Sequence, residues 1–380
     1  MDLVEHDGAR PLPRPDGPAG IDGPGGVDDL FPPLGGHTAA APRRPRRRMW
    51  LIVLAVLVVV VAAIAVTLRL GVDRAVQDFD RDVERFGTPF QAVPPAERPA
   101  VEPVAAGALN VLLLGSDSRV SAGDPAQWKA GAQRTDAIMV VHVPRDRQGA
   151  YVISIPRDSW VRVPGRGSAK INAAFSWGGP ALMIRTVEQL TKLRIDHVAI
   201  VDFTGFQKIT DAVGGVTITV PKATKDTRAE FTPGQHVMDG ETALNYVRQR
   251  YDLPGGDLDR VKRQQVWIRA LLKQMRDKGT VTNPVALNQT LQLLAGSLAT
   301  DDGFTLEKMQ QLATSVSNVG PGDVKFFTAP VAGTGRSPDG QSIVKLSESR
   351  GTPLWDAVRK DDVRSWILRY KPELLGGTVR

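Results

Sequence analysis

The chain has 380 residues, a net charge of +7 and no cysteine, with a pI near 9.7. The missing thiols exclude disulfides, thiolate metal sites and cysteine nucleophiles, and the five histidines are scattered with none at metal-ligand spacing. The basic balance fits nucleic acid, an anionic membrane surface or a phosphate-bearing substrate, and does not choose among them.

In chain order, residues 1–48 are rich in Gly, Pro and Asp. They hold too few large apolar side chains to bury a core and read as a disordered cytoplasmic tail. Met49–Leu68, MWLIVLAVLVVVVAAIAVTL, is twenty residues without a charge, about 30 Å as a helix and enough to span a bilayer. The preceding RRPRRR carries five Arg, whereas only Arg69 and Arg74 follow closely. The positive-inside rule therefore keeps the N-terminus in the cytoplasm and places everything after Arg69 outside the cell. A cleaved signal peptide is the alternative, but the apolar run exceeds the usual length and no A-x-A-like site follows closely. The expectation is a single-pass transmembrane helix in the cell membrane.

Residues 69–104 read as a stalk. Val72, Val76, Phe79, Val83 and Phe86 fall on one helical stripe, and Pro89, Pro94, Pro95, Pro99 and Pro103 stiffen the spacer after it. A folded domain is expected over 105–361, with 362–380 as a C-terminal end segment. NVLLLG (110–115), DAIMVVHV (136–143), YVISI (151–155), HVAIVD (197–202) and VTITV (216–220) are β-branched apolar runs expected to be central strands. Helical spacing covers 179–193, 203–213, 239–246 and 260–275. Helices interleaved with buried strands predict an α/β domain whose sheet is covered on both faces.

Polar residues collect at the ends of these runs: Asp117 and Arg119 after the first, Arg134 and Asp136 at the second, Arg157 and Asp158 after the third. Any one of these is ordinary turn chemistry. Together, in loops at strand ends, they suggest one ligand site. YVRQRYDLPGGDLDRVKRQQ, Tyr246–Gln265, adds more charge. Read as extended, YVRQRY turns Arg248 and Arg250 to one face. After the PGG break come Asp257 and Asp259, and Asp259 is expected to cap a helix on which Arg260 and Gln264 share a face beside an apolar stripe of Val261, Ile268, Leu272 and Met275.

A carboxylate pair with convergent arginines suits pyrophosphate chemistry. The Asp pair would hold Mg²⁺ through hard oxygen ligands, and the guanidiniums would bind phosphates and offset charge on a leaving group. No G-x-S-x-G elbow and no P-loop is present. A DNA-binding footprint is disfavoured, because the charged stretch lies across the membrane from the genome and no helix-turn-helix stands out.

The ordered blocks NVLLLGSDSR, RTDA, SIPRDSWV, KINAAF, VDFTGFQKITDAVGGV, DGETALNYVRQR and GDLDRVKRQQ resemble the LytR-CpsA-Psr family over roughly 105–361, and the late APVAGTGRSPDGQSIV segment extends the resemblance. It implies an α/β/α sandwich with a central mixed β-sheet and a hydrophobic tunnel for a polyprenyl chain. It implies a Mg²⁺-dependent transferase that moves a glycopolymer, as a sugar phosphate, from polyprenyl pyrophosphate to a peptidoglycan hydroxyl. By motif position Asp117 and Asp136 would be the metal and catalytic aspartates, Arg157, Arg248, Arg250 and Arg260 the pyrophosphate clamp, and Gln264 its polar partner. Arg119, Arg134, Lys170, Asn172 and Asp257 would support them. The base could be Asp117, Asp257 or a metal-bound hydroxide. A hydrolase of the same lipid pyrophosphates and a membrane-bound transcriptional regulator are the competing readings; the expected partners are carrier-linked glycopolymer, peptidoglycan and membrane, without nucleic acid.

Overall fold

The computed structural model describes residues 84–117, 133–249, 255–280 and 298–375, with a few positions between 283 and 292. The tail, the apolar segment 49–68, the Val72–Val83 part of the stalk stripe, Arg119 and Arg250 lie outside the described residues. No helix among the described residues is long and apolar enough to cross a membrane.

The strands are β1 (Glu84–Arg85), β2 (Leu109–Ser116), β3 (Thr135–Val143), β4 (Ala150–Ser154), β5 (Trp160–Val163), β6 (Gly167–Lys170), β7 (His197–Val201), β8 (Val216–Val220), β9 (Thr224–Lys225), β10 (Glu230–Phe231), β11 (Gly234–Met238), β12 (Leu298–Thr300), β13 (Val324–Thr328), β14 (Val331–Arg336) and β15 (Ser342–Leu346). The helices are α1 (Asn172–Thr191), α2 (Phe203–Ala212), α3 (Gly240–Arg248), α4 (Asp257–Asp277), α5 (Leu306–Ser315), α6 (Glu348–Arg359) and α7 (Val363–Tyr370). Seven strands form one mixed sheet in the order β1-β12-β7-β2-β3-β4-β13. β2 runs parallel to β7 and antiparallel to β3, and β3 antiparallel to β4.

Side-chain alternation in the central strands sorts their residues into two layers. Leu112, Leu114, Ile138, Val140 and Ile153 pack with Ile184 and Val187 of α1, Leu354 of α6 and Trp366 of α7. Residues of the other parity, Met139, Val152 and Leu113, pack against Ile268 and Leu272 of α4, and Val111 against Leu306 and Met309 of α5. The sheet thus lies between two helical layers, and the strands read as continuous apolar runs because both faces are covered. Phe86 and Val93 near one end of the described chain, and Val363 and Trp366 near the other, share the first of these cores.

One expected central strand is placed elsewhere. VTITV forms β8, but among the described residues it pairs only with β11, in a separate two-stranded sheet. Its burial comes from packing on α3 and α4 through Ile218, Val220, Tyr246 and Trp267, so an apolar run cannot by itself reveal which sheet it joins.

Candidate active site

The topology brings the charged blocks to one edge of the sheet. β2 ends at Ser116, antiparallel β3 begins at Thr135, and β4 ends at Ser154. Asp117, Asp136 and the Arg157 loop therefore meet where the parallel pair β2 and β7 presents its carboxyl ends, the usual ligand edge of such sheets. A β-bulge refines the placement. Gly115 is opposite Ala137, but Ser116 is opposite Thr135, so Asp136 is the extra residue. A bulge re-aims a side chain that regular alternation would direct elsewhere. Asp117 closes the same end: its amide donates to the Arg134 carbonyl at 3.2 Å, and its Oδ1 accepts from the Arg134 amide at 2.9 Å.

The Asp136 carboxylate forms an ion pair with Arg157 Nη1. Arg157 Nε lies 3.4 Å from Asp257 Oδ1 and 3.9 Å from Asp158 Oδ2. Asp257 in turn pairs with Arg260 one helical turn on, and Gln264 Nε2 donates to the Asp136 carbonyl at 3.3 Å. Two carboxylates and two guanidiniums thus alternate between the β3 bulge and the start of α4. Burial pushes the Asp257 carboxyl up from the ordinary aspartate value, and the nearby charges of Asp158 and Asp136 add to this against Arg260 and Arg157. Its Oδ2 is buried with no hydrogen-bond partner.

Two local expectations are corrected. The first three residues of YVRQRY are not extended: α3 runs through Arg248, and Arg248 reaches the site by stacking its guanidinium over the Phe203 ring, 4.0 Å from the centroid. The stretch looks extended in sequence because its aromatic and apolar residues pack inward from a helix, where Tyr246 and Val247 are buried. Nor does Asp259 cap α4. The cap is Gly256, at φ 55°, a left-handed backbone conformation that favours glycine. Asp259 instead sits in the first turn and accepts from the Gly255 amide at 2.7 Å.

A cavity of about 160 Å³ opens beside these groups. Its walls include Leu113, Met139, Phe203, Phe206, Val247 and Trp267, and its polar rim includes Asp136, Arg228, Arg248, Arg260 and Gln264. Phe206 and Trp267 stack with ring centroids 4.0 Å apart, and Trp267 Nε1 donates to Thr210 Oγ1 at 3.0 Å, so the buried indole is satisfied. Burial and the neighbouring Arg228 charge lower the Arg248 pKa, while the charges of Asp136 and Asp117 raise it. Arg134, Lys170 and Asn172 gather instead with Arg157 in a second, polar cleft, where Lys170 Nζ pairs with Asp158 Oδ1 at 3.0 Å.

Several participants escaped the sequence reading. Arg228, on the cavity rim, belongs to no apolar pattern and lies 20 residues before Arg248 in the sequence. Arg263 is buried between α3 and the β9 segment: Nη1 donates to the Tyr246 carbonyl at 3.1 Å and to Gln249 Oε1, Nη2 to Thr224 Oγ1 at 3.1 Å, and the guanidinium covers the Tyr246 ring. It thereby holds the end of α3 that carries Arg248. The signal was present in the helical register, since Arg263 lies three residues after Arg260, but an arginine run reads as surface charge.

Asp117, just past the end of β2, and Asp136, on β3, are hard oxygen donors that could hold a metal, and both act on the charge of Arg248. Among the described residues no group of three or more His, Cys, Asp or Glu is placed to hold a metal. Two carboxylates beside a row of guanidiniums fit an ion that completes its shell with water and substrate phosphate, as Mg²⁺ commonly does, and not an all-protein cage.

The chain is similar to two proteins of Corynebacterium glutamicum. It is 34% identical over 279 residues to "Cell wall biosynthesis protein LcpA", covering 63% of this chain and 53% of that one. It is 38% identical over 242 residues to "Probable cell wall biosynthesis protein LcpB", covering 62% and 57%. The chain thus spans little more than half the length of these relatives. Among solved structures, "TagT bound to LI-WTA" superposes with a TM-score of 0.54 at 25% identity, covering 70% of this chain and 94% of that one. The profile of the LytR_cpsA_psr family matches residues 87–360, and the chain belongs to that family.

Proposed function

We propose that the domain is a Mg²⁺-dependent phosphotransferase that moves a glycopolymer from a polyprenyl-pyrophosphate carrier to peptidoglycan. The observation that carries this reading is the contact between the two parts of the site: the Asp136–Arg157–Asp257–Arg260 array adjoins an apolar cavity. A substrate combining two phosphates with a hydrocarbon chain needs both. Supporting it, the family's corynebacterial members are named as cell wall biosynthesis proteins, and TagT has been solved bound to LI-WTA. The apolar segment 49–68 would tether the domain at the outer face of the cell membrane, where carrier and wall meet.

In this reading Arg157, Arg260 and Arg248 hold the pyrophosphate, and Gln264 fixes the Asp136 backbone against α4. The acceptor hydroxyl gives its proton to a carboxylate as its oxygen attacks the sugar-side phosphorus. The bond from that phosphorus to the bridging oxygen breaks, and the bridging oxygen leaves with its electron pair as polyprenyl phosphate. The guanidiniums stabilise the charge that develops there. Asp257 is the carboxylate whose proton affinity best suits a base, because burial raises it. Asp117 and Asp136 would hold Mg²⁺, which would supply charge neutralisation on the phosphate oxygens.

Product analysis tests the assignment. With a polyprenyl-pyrophosphate-linked sugar, Mg²⁺ and a peptidoglycan oligomer, the full chain is expected to form a sugar phosphodiester on the oligomer, and the Asp136→Ala variant none. Free sugar phosphate as the only product in the presence of acceptor would mean a hydrolase.

A further inference from the structure

Two successive residues of α4 tie that helix to two neighbouring strands. Gln264 Nε2 donates to the Asp136 carbonyl on β3 at 3.3 Å, and Gln265 Nε2 donates to Ser154 Oγ at the end of β4 at 2.8 Å. We propose that Gln265 and Ser154 are positioning residues, whose buried hydrogen bond sets the register of α4 against the sheet and so keeps Asp257 and Arg260 in place beside Arg157. The inference rests on the phosphotransfer reading for what the placed groups then do.

The bond closes a short circuit around the site. Ser154 ends β4, and the loop that follows it carries Arg157. Arg157 Nε lies 3.4 Å from Asp257 Oδ1. Asp257 opens α4, and Gln265 lies just over two turns further on, about 12 Å along the helix. From there its side chain returns to Ser154. Ser154 is a firm reference point, because β4 is an inner strand: Ser154 is opposite Met139 of β3 and Thr328 of β13, and its carbonyl accepts from the Ala329 amide at 2.8 Å.

A polar pair at this place needs a reason beyond packing. Ser154 is 1% exposed and Gln265 2%. Toward the C-terminus of α4, Ile268 and Leu272 pack on Met139, Val152 and Phe326 of the same layer, and an apolar pair at 154 and 265 would extend that layer. Apolar contact is non-directional, whereas a satisfied buried hydrogen bond holds one separation and one orientation. The polar pair therefore fixes the axial position of α4 where the helix meets the site. Position matters there, since misplacing a reacting group by about 1 Å can cost about a hundredfold in rate.

A double variant separates positioning from packing. Ser154→Ala with Gln265→Met replaces both partners by apolar groups, so no buried donor or acceptor is stranded. The full chain in detergent is compared with wild type by thermal melting, by calorimetry with inorganic pyrophosphate and Mg²⁺, and by amide hydrogen exchange. Wild type is expected to bind pyrophosphate. The double variant is expected to melt within a few degrees of wild type, to bind pyrophosphate about tenfold more weakly, and to exchange faster only in the Arg157 loop and the first turns of α4. Wild-type exchange in both segments overturns the proposal. Faster exchange spread over the whole domain overturns it too, because the pair would then be structural only, as does faster local exchange beside an unchanged pyrophosphate affinity. Wild type without affinity for pyrophosphate would instead sink the phosphotransfer reading, and the exchange comparison would still decide the positioning role. Ser154→Ala alone, which deletes one buried hydroxyl, is read the same way should the double variant fail to fold.

Discussion

Asp136 and Arg157 form an ion pair that stands between two cavities, Asp136 on the rim of the apolar one and Arg157 in the wall of the polar one. The pair is held from both sides, by the bulge between β2 and β3 under Asp136 and by Asp257 at 3.4 Å from Arg157 Nε. In the proposed reaction a guanidinium so placed would bind phosphate with fixed geometry, because its rotamer is set before substrate arrives.

Arg157→Ala should therefore lower the transfer rate by about a hundredfold or more with little change in melting temperature. Arg157→Lys should recover only a small part, since an ammonium cannot reproduce the forked contacts to Asp136 and Asp257. Single-turnover kinetics beside thermal melts would check this; full activity in a folded Arg157→Ala protein would remove Arg157 from the site.

Asp257 gives a pH signature. Its pKa is raised by burial and by neighbouring carboxylates, so its basic form is populated only above a pH higher than the ordinary aspartate range. The acid limb of kcat/KM should sit correspondingly high. Asp257→Asn should abolish that limb and cost about 10²–10⁴-fold in rate. An unchanged limb in the variant would assign the base elsewhere.

The strand runs and the polar blocks at their ends were readable in the sequence because fully buried strands leave continuous apolar stretches and turns leave polar ones. Asp117, Asp136, Arg157, Asp257, Arg260 and Gln264 all reach one edge of the sheet. What was not readable is whatever depends on a partner far along the chain. The bulge at Asp136 exists only in the pairing of β3 with β2. The placement of VTITV outside the central sheet depends on β11, and the seat of Arg248 on Phe203 depends on α2. Local periodicity carries no record of these contacts.

Arg263 is expected to act on activity through position. Truncating it to Ala takes the buried donor from Thr224 Oγ1 and from the Tyr246 carbonyl, while Gln249 Oε1 keeps the Thr224 hydroxyl, a loss of about 2–4 kcal/mol. It also frees the end of α3 that presents Arg248. A pyrophosphate affinity weakened in parallel with lowered stability, while the acid limb of the pH profile stays in place, would mark it as a positioning residue.

Far from the site, Asp361 ties the end of α6 to β3. Its Oδ1 is 2.9 Å from His142 Nε2, and its Oδ2 accepts from the Arg145 amide at 3.2 Å. Burial works against its ionisation, but the hydrogen bonds from His142 and Arg145 outweigh burial and hold its pKa below the ordinary aspartate value. A carboxyl depressed in the folded state stabilises above its unfolded pKa of about 3.9 and loses that contribution as pH falls through the folded value. Asp361→Asn should therefore be less stable than wild type by about 1–3 kcal/mol near neutrality. Denaturant titrations should show the gap narrowing as pH drops below about 4.

The proposed transfer breaks the bond between the sugar-side phosphorus and the bridging oxygen. A lipid-linked substrate labelled with ³²P only at the sugar-side phosphorus, given to the full chain with Mg²⁺ and peptidoglycan, measures this directly. Attack at that phosphorus predicts that the label moves to peptidoglycan with the sugar, leaving unlabelled polyprenyl phosphate. Label retained on the lipid as pyrophosphate while sugar appears on the wall would mean cleavage at the sugar carbon, and would rule out attack at phosphorus.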